Sequence, residues 1–305
     1  MSTQEYSSSK VGFVTAEEKA NVPYGVSLGQ RAIRKLMKKK FVLACFAVVL
    51  LYMIIAFIGY MGLLPDYQQR LGGSYEPPSW SVAKILGTDI FGRSIFYKIL
   101  VGTRTAMTIG FVVTLISVPV GIFLGALAGY FGGKIDGLIV WVYSVIASVP
   151  GILLLLGISF VLGKGLFAMC VALGVVNWVG LCRLIRGEVL KHKNREYVLA
   201  VKLMGASSAR AIFKHILPNV FHLAIVTASL TILGAIRSEV VLTYLGVGVQ
   251  DGASWGAMIA DASGELSNGI WWPLTGVTVA IFIVIFALTI VGDALRDALD
   301  PKIID

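Results

Sequence analysis

Residues 41–64 carry no charged side chain, and three further uncharged runs follow at 105–133, 137–163 and 165–182. A helix rises about 1.5 Å per residue, so about 20 residues cross the roughly 30 Å of bilayer hydrocarbon. Inside that layer every backbone amide must be satisfied within the protein, which leaves helices and closed barrels. Continuous apolar runs of this length, without two-residue alternation, predict helices. The chain is 57% hydrophobic and 14% charged, with mean hydropathy +0.83, which excludes a water-soluble globule. The fold class that follows is an all-α polytopic membrane protein.

Charge sets the expected topology. Arg31, Arg34, Lys35, Lys38, Lys39 and Lys40 precede the first run, and positive charge beside a span marks the cytoplasmic side. Residues 1–40 read as a polar cytoplasmic tail with a basic juxtamembrane segment, and no signal-peptide pattern precedes the first span. Residues 65–104 read as a polar external connection, although its Arg and Lys content strains the positive-inside rule. The core domain spans 105–293, with spans two to six and a basic cytoplasmic loop at 183–218; 294–305 form a cytoplasmic tail. Span five covers 219–242 and span six 272–292; the segment 247–272 has no Lys or Arg and belongs outside. Six membrane-spanning helices with both termini inside follow.

Several function classes fall away. Cys45, Cys170 and Cys182 are scattered, with no spacing for a metal site. The net charge of +9 sits beside apolar runs rather than among aromatic readers, so it implies topology and a lipid bilayer, not nucleic acid. Gly157-Ile-Ser-Phe-Val-Leu-Gly163-Lys164-Gly165 has one residue too many between its glycines for a phosphate-binding loop and lacks the Ser or Thr after Lys. No catalytic residue and no bound cofactor are expected.

Three groups of residues stand out. Gly121, Gly125, Gly129 and Gly133 recur every fourth residue and mark a close-packing face, within the bundle or between subunits. Arg237 and Glu239 are the charges of span five and are candidates for a translocation path; snorkelling to the outer interface or a structural role competes with that reading. In the basic loop, 197–204 is an apolar helix broken only by Lys202. Gly205 can end it in a left-handed conformation, and Ser207 or Ser208 can cap a second helix. An apolar helix in a cytosolic loop needs a cover, hence a docking site for a soluble partner.

That loop resembles the EAA loop of bacterial binding-protein-dependent ABC importer permeases. Counting back from Gly205, the triplet falls on Leu199-Ala200-Val201, of which the middle Ala matches, and His215-Ile-Leu-Pro-Asn219 is similar to the peptide-permease branch. Gly87-Thr-Asp-Ile-Phe-Gly-Arg93, Gly102-Thr-Arg104, Gly129-Tyr-Phe-Gly-Gly-Lys-Ile-Asp136, Leu245-Gly-Val-Gly248, Ser254-Trp-Gly256 and Gly292-Asp-Ala-Leu-Arg-Asp-Ala-Leu-Asp-Pro301 look like the second permease of dipeptide and oligopeptide importers. The resemblance implies a type I ABC importer transmembrane domain in the bacterial plasma membrane. It also implies a homologous permease partner, two cytosolic ATPases that bind ATP and Mg, and an extracytoplasmic substrate-binding protein. Glu196, Tyr197, Leu199, Ala200, Val201, Gly205, Ala206 and Ser207 would then form the coupling segment that docks on an ATPase. A stand-alone ion-coupled transporter is the competing class.

Overall fold

In a computed structural model of the chain, residues 39–249 and 252–299 are described. The polar tail, the basic run as far as Lys38 and residues 300–305 lie outside them. Helix α1 is Lys40–Tyr60 and α2 Ile95–Phe131. Gly133–Ser148 and Gly151–Leu162 form α3 and α4, and Leu166–His192 forms α5. Glu196–Leu203 is the short α6 and Leu217–Tyr244 is α7. Trp255–Glu265 is α8 and Trp272–Leu299 is α9. Helices α1, α2, α5, α9 and the rod formed by α7 with the turns before it are each long and apolar enough to cross a membrane; α3 with α4 is a bent apolar pair that makes a sixth span if the two count as one.

Helix α2 starts at Ile95, ten residues before the uncharged run, so the boundary drawn at residue 104 is corrected. Its charged first turns are satisfied locally. Ser94 caps the helix by accepting from Tyr97 N at 3.2 Å, and Lys98 pairs with Asp89 at 2.5 Å. The Arg104 guanidinium donates to Gly59 O at 3.3 Å and lies over the Tyr60 ring, placing a cation on the C-terminal carbonyls of α1. Helix α5 likewise runs to His192, so the first residues assigned to the basic loop are helical.

The uncharged run 137–163 is not one continuous helix: α3 and α4 meet at 94°. Proline restricts the residue before it to extended backbone, and Val149 takes φ −91°, ψ 135° ahead of Pro150. Pro119 by contrast lies within an unbroken α2.

The centre of the bundle is a parallel pair, α2 and α5. Cβ atoms added at Gly121, Gly125 and Gly129 would lie 3.0, 2.7 and 2.7 Å from the carbonyl oxygens of Trp178, Cys182 and Arg186. Three glycines thus seat α2 on the α5 backbone, and their contacts lie within this chain. Gly133 departs from the stripe: it follows the helix end at φ +54° with open space around it. Helix α1 packs a stripe of Val42, Cys45, Tyr52, Ala56 and Gly59 against the bundle, and the Tyr52 hydroxyl donates to Ala280 O of α9 at 2.9 Å.

Candidate functional site

The basic end of the bundle is built as a braced platform. Arg186 of α5 grips Asp136 of α3 with two bonds, Nη2 to Oδ2 at 2.7 Å, the bidentate geometry that fixes orientation best. Lys193 Nζ donates to Tyr130 O at 3.4 Å, and Lys202 Nζ stands 4.8 Å from the Tyr130 ring centroid. Both bonds tie the connection between α5 and α7 to the end of α2.

Upon this platform lies α6. Val198 is its anchor, fully buried with Ile185, Val189, Ile212, Ile216 and Val220. Tyr197 is half-buried and its hydroxyl meets His192 Nδ1 at 2.8 Å; burial raises its phenol above the ordinary range. The opposite side of α6 is bare. Leu199 is 45% exposed, Leu203 89% and Met204 79%, while Glu196 and Ala200 are exposed and Val201 half-buried. Spacing of three and four residues gathers these onto one helical face.

Gly205 turns the chain at φ +81°, with no atom within 4 Å of a Cβ placed there. The Ala206 amide closes the turn on Val201 O at 3.2 Å. Ser207 then accepts from Arg210 N at 3.3 Å and caps the next turn. Residues Ala211–Ile216 form a wide π-type turn that passes directly into α7, with Pro218 in its first turn, where a missing N–H costs little. The exposed face is thus one short reversal away from a membrane-length helix. Reading the sequence missed Leu203 and Met204, the most exposed apolar residues of this face; their i+4 spacing from Leu199 and Ala200 was the available signal.

The two charges of span five separate. Two residues subtend about 200° on a helix, and Glu239 is fully buried whereas Arg237 is exposed. Glu239 Oε1 accepts from the Thr243 hydroxyl at 3.1 Å, and that hydroxyl oxygen accepts in turn from Val249 N at 3.3 Å. The carboxylate therefore braces the segment before α8, and its burial takes it off any path surface in this conformation.

At the far end, the segment before α2 is organised by Asp89. Its Oδ1 accepts from the Phe91 and Arg93 amides, both at 2.9 Å, and its Oδ2 from Arg93 Nε at 2.8 Å. Burial pushes the carboxyl up, but bonds from Lys98 and from the Arg93 amide and side chain outweigh it and hold the group below the ordinary carboxylate range. Asp89, Arg93, Lys98, Asp261 and Glu265 line a cavity of about 360 Å³ here. Gly92, at φ +74°, leaves room that a Cβ would fill at 2.3 Å from Gly72 O.

Residues 121–305 match the family model described as binding-protein-dependent transport system inner membrane component. The chain is 37% identical to the dipeptide transport system permease protein DppC of Bacillus subtilis, over 91% of this chain and 87% of that protein. It is 35% identical to the oligopeptide transport system permease protein OppC of the same organism, covering 91% of both. Against OppC of Haemophilus influenzae the identity is 33%, over 91% and 90%. A solved structure of the MetNI methionine ABC transporter, in an inward-facing form, is similar with TM-score 0.49 and 21% identity over 66% of this chain and 93% of that one.

Proposed function

We propose that this chain, which belongs to the binding-protein-dependent transport system inner membrane component family, is the permease subunit of an ATP-driven importer of dipeptides or oligopeptides. The full-length similarity to dipeptide and oligopeptide permeases supports the substrate class. The comparisons lend nothing to a stand-alone ion-coupled carrier. In this reading a second homologous permease completes the path, two cytosolic ATPases bind ATP and Mg, and an extracytoplasmic binding protein delivers substrate. The basic end faces the cytoplasm of a bacterial cell, with both termini on that side.

One observation carries the coupling role: the bare face of Leu199, Leu203 and Met204 on a braced platform, joined through Gly205 to α7. A soluble ATPase that covers this face can move α7 by moving α6. Gly205→Val tests it. A β-branched side chain at a left-handed position costs on the order of 1–2 kcal/mol, and space for it is open, so the damage is to the backbone turn alone. The variant should insert and assemble with the second permease, yet bind ATPases more weakly and lose substrate-stimulated hydrolysis and transport. Ser267→Ala, an exposed control at the other end, should do neither. Wild-type ATPase binding and transport by the Gly205 variant would reduce α6 to an ordinary connection.

A further inference from the structure

Helix α7 leaves one stripe uncovered. Leu230, Val241 and Tyr244 are 41–50% exposed and Arg237 is exposed with them; Gly234 lies between, with nothing within 4 Å of a Cβ built on it. The spacing of four, three, four and three residues puts all five on one helical face. Arg237 stands seven residues before the helix end at Tyr244, about 10 Å along the axis. It shares a cavity of about 120 Å³ with Ile152 and Leu155 of α4 and Ser238, Val241 and Leu242 of α7. Among the described residues no carboxylate pairs with it, and Glu239 is committed elsewhere.

A guanidinium within a membrane-length apolar helix is costly unless it reaches the interface, an aqueous route or an anion. Its planar fork matches a carboxylate bidentately, and Gly234, about one turn below, leaves room for a ligand to approach. We propose that Arg237 is a specificity-determining residue of the translocation path, which takes the C-terminal carboxylate of the passing peptide. This rests on the import reading above and adds the chemical group that the path recognises.

The test uses the whole complex, with second permease, ATPases and binding protein, in liposomes. Uptake of a dipeptide with a free C-terminus and of its C-terminal amide is compared at saturating binding protein for wild type, Arg237→Gln and Arg237→Lys. The Gln variant should assemble in wild-type yield yet take up the free acid about tenfold more slowly, with amide uptake unchanged; the Lys variant should keep most of the acid uptake. Unchanged acid uptake in the Gln variant would mean that Arg237 only reaches for lipid phosphate, and overturns the proposal. Reduced complex yield would overturn it in favour of an ion pair with the partner permease, and equal fractional loss for acid and amide would also overturn it. A wild-type complex that takes up no peptide would instead bring down the import reading, and this inference with it.

Discussion

Asp89 serves two cations and two backbone amides at once. Replacing it with Asn removes the charge that Lys98 and Arg93 share and leaves the buried Lys98 ammonium without its partner. The cost is on the order of 2 kcal/mol, below that of a deep pair because the adjoining cavity admits water. Because the folded carboxyl is depressed, its stabilisation is fully present above the ordinary Asp value of about 3.9 and is lost as pH falls through the folded value. Hydrogen exchange over residues 70–94 should therefore show wild-type protection that holds from neutral pH to about pH 4 and fails below. Asp89→Asn should exchange faster throughout. Gly205 was legible from sequence because a left-handed reversal after a helix selects glycine almost alone. Asp89 was not: its partners straddle a loop and a helix whose boundary the charges themselves obscured.

The glycine seam is the element-scale counterpart. A Leu at Gly125 must displace the Cys182 carbonyl and Ile185, and helix axes cannot separate without opening the whole contact, so overpacking of about 1–3 kcal/mol per site is the expected scale. Gly125→Leu with Gly129→Leu should lower the yield of assembled complex and the melting temperature in detergent, whereas Gly133→Leu should affect the turn and leave the seam closed. Equal losses for the seam and turn variants would remove the packing argument. Period-four glycines announced a close approach, but not with which helix. The elbow between α3 and α4 shows a similar division: Pro150 sits at the break, while the size of the bend depends on how α4 packs over α5 and α7, long-range information absent from local pattern.

For the whole molecule, uncharged length against bilayer thickness was enough to find the five membrane-length helices and the bent α3–α4 pair, while the sides assigned from the basic and acidic connections await a test. Helix ends were harder, because α2 and α5 continue as helix through charged turns beyond their uncharged runs. In a cysteine-free background, a cysteine at Ala200 should resist an impermeant thiol reagent in intact cells, and one at Asp261 should react. The opposite pattern would invert the proposed topology. The α2–α5 seam also imposes an order in time. The residues of α5 that receive Gly125 leave the ribosome roughly sixty residues after it, about 3–12 s at about 5–20 residues per second. Through that interval α2 waits in the lipid with its seam unfilled while α3 and α4 are laid down. The nascent chain thus passes through a stage in which its most exacting contact has only lipid or another chain for company, and an insertion factor that shields small-residue faces would find its client there.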